Sequence, residues 1–460
     1  MLYNCVIMYN TEFDTIAAIS TALSEGGIGI VRISGPDAFK IAGKVFRKKG
    51  RKELENRHCR YGHVYEDDQI IDEALMTLFQ APNSYTAEDV AELSCHGGVY
   101  SIRRVLEAVL KAGARLAEPG EFTKRAFLNG RLSLDQAEAV ADVISSSNEA
   151  ALKNSLEQLS GGLAYRIREL RKKILHETAF IEAALDDPEH IELSDYPEQL
   201  NEILTTLIGE LTILADSFRD GRLLRDGIRT AIIGRPNVGK SSLLNALLGM
   251  ERAIVTEIPG TTRDTLEESI NLGGFTLRIV DTAGIRESED VVERLGVEKA
   301  MKEMEAADLI LMLLDASAGY TKEDEEILKR LDLYPKAKKL ILWNKSDLKD
   351  APAYPDGLKI SAKTGKNMEQ FKNNVSDIIF DGKSKAIDSS IIITNLRHSE
   401  AINNAILALK RVQSSIEDGM PEDFYTVDLL DAYHALGGII GEEVGEDLID
   451  EIFSGFCMGK

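Results

Sequence analysis

The 460-residue chain is poor in tryptophan and cysteine, and it has no long apolar run. It contains one Trp and four Cys, and the cysteines, at positions 5, 59, 95 and 457, show no paired metal-binding spacing. Such usage suits a reducing compartment. No stretch approaches the roughly 18 consecutive apolar residues of a membrane span, and residues 1–10 lack the apolar core of a signal peptide. We therefore expect a cytoplasmic protein without a membrane segment.

Basic residues are also scarce. The chain has 54 Lys and Arg against 76 Asp and Glu, which gives a formal net charge of −22. Because nucleic-acid phosphates repel such a surface, the chain as a whole is not expected to bind nucleic acid nonspecifically. Any RNA contact must come from a local basic patch, such as residues 47–60, or from a partner.

Residues 234–241 read Gly-Arg-Pro-Asn-Val-Gly-Lys-Ser, which has the GxxxxGK[ST] spacing of a phosphate-binding loop. In such a loop, successive backbone N–H groups cradle phosphate oxygens, while Lys240 reaches the β- and γ-phosphates and Ser241 binds Mg²⁺. Residues 230–233 predict a strand before the loop, and residues 242–248 predict a helix after it. This motif alone fits any nucleoside triphosphatase.

A second motif selects the base. Residues 344–347 read Asn-Lys-Ser-Asp, and the Asp347 carboxylate can accept two hydrogen bonds from an edge of guanine that adenine cannot match. Residues 361–363, Ser-Ala-Lys, follow a predicted strand and are expected to place a backbone N–H on the guanine oxygen. Apolar segments predict further strands at 277–280, 309–314, 340–343 and 358–360. Loops in this order at the carboxyl ends of strands predict a doubly wound α/β GTPase domain.

Two further stretches are expected to sense the γ-phosphate. In the segment Gly-Thr-Thr-Arg-Asp at 260–264, Thr262 is the expected second Mg²⁺ ligand. In the segment Asp-Thr-Ala-Gly that follows, Asp281 would bind Mg²⁺ through water and the Gly284 N–H would face the γ-phosphate. Small GTPases carry a water-orienting Gln directly after this turn, but this chain has Ile285. Hydrolysis must therefore recruit polar groups from elsewhere.

The remaining chain divides into an α+β region and a helical region. Near the N-terminus we predict strands at 29–33, 59–64 and 91–95 and a helix at 101–112. Periodic apolar residues predict a long helical segment from Ser133, which Gly161-Gly162 could kink. The same periodicity predicts helices again after residue 400. We predict a multidomain protein with an α+β N-terminal domain, a discontinuous α-helical domain and an inserted α/β P-loop GTPase domain. The predicted bounds are 1–130 for the first, 131–227 and 382–460 for the helical domain, and 228–381 for the GTPase domain. Insertion is simple where the ends of a host domain lie close together.

The last five residues, Phe-Cys-Met-Gly-Lys, place a cysteine near the terminal carboxylate. A C-terminal tail is usually frayed, so these residues alone favour no role. Together with the Pro-Gly-Glu-Phe-Thr-Lys-Arg-Ala-Phe-Leu-Asn-Gly-Arg stretch at 119–131, the Gly-Thr-Thr-Arg-Asp segment and the order of three domains, they give a specific pattern. The chain resembles the MnmE (TrmE) family of tRNA-modifying GTPases over essentially its whole length.

The resemblance implies a homodimer that works with an FAD-containing partner, MnmG (GidA), in a heterotetramer. The pair would attach an aminomethyl or carboxymethylaminomethyl group to carbon 5 of the wobble uridine of tRNA, with a one-carbon unit from 5,10-methylene- or 5-formyl-tetrahydrofolate. It also implies GTP hydrolysis driven by K⁺-dependent pairing of GTPase domains, in which K⁺ takes the place of an arginine finger.

The resemblance assigns further residues. The folate contacts fall on Arg32, Glu92, Arg131 and Lys460. The K⁺ ligands fall on Asn237, Thr256, Ile258 and Thr261. The catalytic residues fall on Glu293, which helps to orient the attacking water, and on Cys457, the cysteine of the tail. With the motifs, the GTP site then comprises Asn237, Val238, Gly239, Lys240, Ser241, Ser242, Thr256, Glu257, Ile258, Pro259, Gly260, Thr261, Thr262, Asp281, Thr282, Ala283, Gly284, Asn344, Lys345, Ser346, Asp347, Ser361, Ala362 and Lys363.

Two alternatives stay open from the sequence. The chain could be a regulatory or ribosome-assembly GTPase without modification chemistry, although such relatives carry an RNA-binding domain in place of this N-terminal region and cysteine tail. It could also be a folate-binding carrier in which GTP only sets the oligomeric state. The state of the wobble uridine in tRNA distinguishes both from a modification enzyme.

Overall fold

The structure, a computed structural model, describes residues 14–48, 59–190, 195–250, 268–272, 274–280, 304–350, 352, 354–382 and 391–460. The chain forms two compact units. The N-terminal unit falls within Met1–Ala141, Leu159–Glu169 and Leu436–Lys460, and the GTPase unit falls within Asp142–Gln158 and Leu170–Ala435. The boundaries predicted from the sequence at residues 130, 227 and 381 stay predictions.

Helices account for much of the described chain. They are α1 (Ala38–Val45), α2 (Val99–Lys111), α3 (Glu121–Leu128), α4 (Leu134–Ser145), α5 (Glu149–Leu159), α6 (Gly162–Asp186), α7 (Tyr196–Asp226), α8 (Lys240–Met250), α9 (Lys322–Leu331), α10 (Met368–Ile379), α11 (Leu396–Glu417), α12 (Asp423–Ile440) and α13 (Glu446–Ser454). None of these described helices is long and apolar enough to cross a bilayer.

The N-terminal unit contains a mixed sheet. Its described strands are β1 (Ile16–Ile19), β2 (Gly29–Ser34), β3 (Phe46–Lys48), β4 (Arg60–Glu66), β5 (Gln69–Phe79), β6 (Val90–Cys95) and β7 (Arg115–Leu116). They pair in the order β3-β4-β5-β6-β2-β1-β7, and each pair is antiparallel except β1 with β7. Apolar side chains of α1 and α2 and of the sheet form the buried core, which includes Val31, Ile33, Leu93 and Val105. The predicted α+β organisation of this region is confirmed.

The GTPase unit contains a second sheet. Its described strands are β8 (Ile228–Ile233), β9 (Glu268–Asn271), β10 (Thr276–Ile279), β11 (Leu309–Asp315), β12 (Lys338–Asn344) and β13 (Leu358–Lys359), in the order β13-β12-β11-β8-β10-β9. All pairs are parallel except β9 with β10. Every residue of β11 is buried, as expected for a central strand covered on both faces. The strands predicted in this domain are confirmed to within about two residues.

The long helical segment predicted from Ser133 is three helices rather than one kinked helix. Asn148 directly precedes α5. Its side-chain oxygen accepts a hydrogen bond from the Ala151 N–H at 2.8 Å, which is typical of an N-cap. Gly161 has a φ of +92°, which terminates helical geometry between α5 and α6. The sequence analysis placed residues 196–226 in the helical domain without naming a helix there, and they form the continuous amphipathic helix α7.

Candidate functional site: a nucleotide site and a cationic pocket

The phosphate loop connects β8 to α8 as predicted. Gly234 and Gly239 have φ values of +146° and +100°. A Cβ at Gly234 would overlap the Leu313 carbonyl, and a Cβ at Gly239 would overlap the Asn344 side chain. The loop can therefore be this close to its neighbours only with glycine at both positions. Its backbone N–H groups and the N-terminus of α8 form a cradle that suits phosphate.

Lys240 lies inside this cradle. Its Nζ donates to the Gly234 carbonyl at 2.7 Å and to the Arg235 carbonyl at 3.1 Å. Burial lowers the pKa of Lys240, because desolvation disfavours the ammonium. A phosphate group at the loop would place a negative charge beside this ammonium and so favour its charged form. Ser241 and Ser242 are exposed at the first turn of α8, where a hydroxyl can reach a phosphate-bound metal ion.

Asn344 joins the loops of the nucleotide site. Its Nδ2 donates to the Val238 carbonyl of the phosphate loop at 3.0 Å, and its Oδ1 accepts from the Ala362 N–H at 3.0 Å. Asn344 is buried, so these bonds are made away from water. A single side chain therefore fixes the phosphate loop against the loop that follows β13.

Lys345 adds a second connection. Its Nζ donates to the Asn237 carbonyl at 2.8 Å and to the Asp315 carboxylate at 2.7 Å. Asp315, which the sequence analysis did not select, also accepts bonds from the N–H and hydroxyl of Ser317. The signal was present, because Asp315 is the one acidic residue at the end of the apolar strand β11.

Asp347 is exposed next to these loops. A hydrogen bond from the Ser361 hydroxyl holds the pKa of Asp347 below its ordinary value, so the carboxylate stays ionised. Ser361, Ala362 and Ser346 are buried beside it, and Lys363 is exposed. An ionised acceptor in an otherwise fixed loop suits the N–H groups of a guanine edge.

A further residue of the phosphate loop is tied to the protein core. Arg235 donates from Nε to Asp324 at 2.7 Å, and Asp324 is fully buried. Asp324 also closes a capping box with Thr321 at the start of α9. The sequence analysis missed this pair, although the Thr-Lys-Glu-Asp spacing of the box is visible from residue 321.

Several predicted residues lie outside the described part of the chain. These are Thr256, Glu257, Ile258, Pro259, Gly260, Thr261, Thr262, Asp281, Thr282, Ala283, Gly284 and Glu293. Their roles stay predictions.

The N-terminal unit holds a separate cationic pocket. Arg32 on β2 and Glu92 on β6 are cross-strand partners, and the Arg32 Nε donates to Glu92 at 2.9 Å. Arg32 Nη1 is buried and has no hydrogen-bond partner among the described residues. Arg131 donates from Nη1 to the Tyr85 carbonyl at 2.9 Å. A buried donor without a partner is costly, so Arg32, which is bonded to the pocket residue Glu92, would be stabilised by an added acceptor.

The pocket has a volume of about 500 Å³, within the range of small-molecule sites. Its walls combine apolar and charged side chains, including Phe79, Pro82, Tyr85, Val90, Glu92 and Arg131. Flat apolar walls with a few charged groups suit a ring system that carries polar substituents.

The C-terminal tail is docked and not frayed. Gly459 has a φ of +85°, its carbonyl accepts from the Ser20 hydroxyl at 2.9 Å, and a Cβ there would overlap the Ile19 carbonyl. Lys460 is half-buried, and burial followed by the charge of Arg32 lowers its pKa. Cys457 is a free, exposed thiol. The structure thus brings Lys460 to Arg32 and Glu92, although they are far apart in sequence.

The same chain thus contains a phosphate loop with a guanine motif, an α+β unit with a cationic pocket, and a docked cysteine tail. A family model described as the GTP-binding protein TrmE N-terminus matches residues 15–131, and one described as the MnmE helical domain matches residues 134–457. The chain belongs to the MnmE family of tRNA modification GTPases.

Relatives of the MnmE family match over almost the full length. The tRNA modification GTPase MnmE of Lachnoclostridium phytofermentans is 49% identical over 460 residues, which cover 97% of this chain and 99% of that protein. The proteins of the same name from Clostridioides difficile and Carboxydothermus hydrogenoformans are each 46% identical with the same coverage. Membership of the MnmE family agrees with the predicted fold class and with a GTP-hydrolysing activity.

Proposed function

We propose that this chain is the GTP-hydrolysing subunit of a cytoplasmic system that modifies the wobble uridine of tRNA. With an FAD-containing MnmG (GidA) partner, in a heterotetramer built on a homodimer of this chain, it adds an aminomethyl or carboxymethylaminomethyl group to carbon 5. The observation that carries the proposal is a near full-length match, at 49% identity, to a tRNA modification GTPase.

The nucleotide site supports a specific division of roles. Lys240, already inside the loop, would turn from the Gly234 carbonyl to the β- and γ-phosphates, and Ser241 with Thr262 would hold Mg²⁺. Asp347 would accept hydrogen bonds from the guanine ring, while Asn344 holds the phosphate loop and the loop after β13 together. The glycine cradle and the half-buried Lys240 fit the phosphates of a nucleoside triphosphate, because anions are bound best by N–H groups and cations that are fixed beforehand. Mg²⁺ needs oxygen ligands, which the hydroxyls of Ser241 and Thr262 would supply.

We further propose that a potassium ion activates hydrolysis when two GTPase domains pair. Asn237, with backbone oxygens near Thr256, Ile258 and Thr261, would hold the ion, and Glu293 would orient the attacking water. The fit rests on Asn237, which is exposed and has a φ of +62° at the tip of the phosphate loop. Its side chain is therefore accessible to an ion at the edge of the nucleotide site.

The N-terminal pocket is proposed to bind a reduced folate, 5,10-methylene- or 5-formyl-tetrahydrofolate, which supplies the one-carbon unit. Arg32, Arg131 and Lys460 would bind its anionic glutamyl part, and Glu92 would accept from the pterin ring. The unpartnered Nη1 of Arg32, together with the guanidinium of Arg131 and the ammonium of Lys460, fits such an anion. Cys457, exposed on the docked tail, is proposed to act at the same site.

The proposal is tested by reconstitution. The purified protein is combined with the FAD-containing partner, unmodified tRNA, GTP, methylene-tetrahydrofolate and either glycine or ammonium, and tRNA nucleosides are measured by mass spectrometry. We expect the modified uridine only when GTP and the folate are both present. Hydrolysis of GTP with unmodified uridine in every mixture would instead favour a regulatory or ribosome-assembly GTPase.

The potassium mechanism has its own test, in which GTP hydrolysis is measured in KCl and in NaCl at equal ionic strength. We expect strong stimulation by K⁺ in the wild type, and its loss in Asn237→Ala with nucleotide affinity retained. Asn245→Ala, which changes an exposed asparagine on α8, is the matched control and should keep the stimulation. An unchanged K⁺ response in Asn237→Ala would remove Asn237 from this role.

A further inference from the structure

The ring of Tyr85, which lines the N-terminal pocket, contacts two cations. The guanidinium carbon of Arg32 is 5.0 Å from the centre of the Tyr85 ring, and that of Arg131 is also 5.0 Å away. Both distances lie within the roughly 6 Å over which the face of an aromatic ring attracts a cation. Neither the family motifs nor the sequence analysis selected this residue.

Tyr85 is held by its side-chain hydroxyl and by its backbone carbonyl. The Tyr85 hydroxyl hydrogen-bonds with the Thr123 hydroxyl at 2.9 Å, and Thr123 is fully buried on α3. The Tyr85 carbonyl accepts the bond from Arg131. Because the ring is held by the protein core, it can in turn hold the groups that lie against it.

The Tyr85 ring adds to other contacts of the two guanidinium groups. Arg32 is bonded to Glu92 and lies 5.7 Å from the centre of the Phe122 ring, and Arg131 donates to the Tyr85 carbonyl. Like charges repel, and Glu92, a carboxylate that lines the pocket, is bonded to Arg32. Lys460 adds a third cation near Arg32. An arginine that is already fixed loses less conformational freedom when it binds an anion, so its contribution to affinity is larger.

We propose that Tyr85 is a positioning residue that holds Arg32 and Arg131 for the anionic part of the ligand. The inference rests on the proposed folate site and deepens it. It predicts that the aromatic ring of Tyr85 matters for binding and that its hydroxyl matters little.

The test measures the dissociation constant of 5-formyl-tetrahydrofolate for the full-length protein by calorimetry. Tyr85→Leu removes the ring and is expected to weaken binding about tenfold, in line with the loss of two cation–π contacts. Tyr85→Phe keeps the ring and removes only the bond to Thr123, so binding should stay within about threefold. Thermal unfolding checks that each variant folds, and Tyr85→Met replaces Tyr85→Leu if the latter is unstable.

A double-mutant cycle separates positioning from general damage. If Tyr85 acts through Arg131, Tyr85→Leu should weaken binding much less in an Arg131→Gln background than in the wild type. The inference is overturned if Tyr85→Leu binds the folate like the wild type, or if Tyr85→Phe loses as much affinity as Tyr85→Leu. It is also overturned if the loss of affinity in the double variant equals the product of the losses in Tyr85→Leu and Arg131→Gln. Failure of the wild type to bind the folate would overturn the folate site itself, and this inference with it.

Discussion

The two sites of this protein are built in different ways. The nucleotide site is made from contiguous loops at the ends of β8, β12 and β13, and the phosphate cradle is largely backbone held in shape by glycines. The N-terminal pocket is lined by side chains that include positions 85, 92 and 131, with those at 32 and 460 near Glu92, and these come together only in the folded unit. A backbone site leaves a short motif in the sequence, whereas a side-chain site leaves isolated charged residues.

The difference predicts how each site responds to substitution. In the nucleotide site the largest losses should follow from the few side chains that touch the nucleotide. In the N-terminal pocket, losses should follow from any change that moves a cation, including changes to residues that touch no ligand.

The largest effect is expected for Asp347→Asn. The substitution removes the charged group that is proposed to accept from two guanine N–H groups, and hydrogen bonds to charged groups contribute about 1.5–3 kcal/mol each. The affinity for GTP should fall about 10²-fold or more, while xanthosine triphosphate, whose ring carries a carbonyl where guanine carries an amino group, should bind better than to the wild type. Both dissociation constants can be measured by nucleotide competition. Equal loss of both nucleotides would mean that Asp347 supports the loop and does not read the base.

An intermediate effect is expected for Gly459→Ala. The added Cβ would overlap the Ile19 carbonyl and is strained at a φ of +85°, so it should displace the tail and Lys460. We expect folate affinity to fall about tenfold, the value of one lost ionic contact of about 1.4 kcal/mol, with GTP affinity unchanged.

Gly455→Ala is the matched control for that change. Gly455 has a φ of −78°, and the nearest atom to an added Cβ is 3.7 Å away, so the tail should stay docked. If Gly455→Ala and Gly459→Ala weaken folate binding equally, the docked tail is not what positions the ligand.

The smallest effect concerns stability in acid. Burial would raise the pKa of Glu121, but hydrogen bonds from Arg115, the Glu118 N–H and Arg125 outweigh it and lower the pKa. Because the folded-state pKa lies below the unfolded one, this stabilisation is complete above about pH 4.5, the ordinary Glu value, and is lost as the pH falls through the folded value.

The variant Glu121→Gln tests this point. Its unfolding temperature should fall less steeply below about pH 4.5 than that of the wild type. Glu107→Gln, at an exposed position on α2, is the control and should keep the wild-type slope. Parallel slopes for Glu121→Gln and the wild type would show that Glu121 does not carry the acid sensitivity.

The same contrast explains what could be predicted from the sequence. The strand before Gly234 and the strand before Asn344 were predictable because apolar runs precede recognisable loops. Helix α7 was not named from the sequence, although its signal was present, because Leu200, Leu204, Leu207, Leu211 and Leu214 recur at helical spacing and are buried. The docking of Lys460 beside Arg32 depends on tertiary contacts of Gly459, which no local pattern encodes. Tyr85 was missed because an aromatic residue in a loop has many ordinary roles.

The central claim is that both sites serve one modification, and complementation tests it most directly. A strain that lacks this protein receives the wild type, Lys240→Ala, Gly459→Ala or the control Lys322→Ala, whose lysine is exposed on α9. Wobble-uridine nucleosides are then measured by mass spectrometry. We expect full modification with the wild type and with Lys322→Ala, none with Lys240→Ala, and a clear reduction with Gly459→Ala. Full modification in the Lys240→Ala strain would contradict the account, because the modification would then proceed without a working nucleotide site.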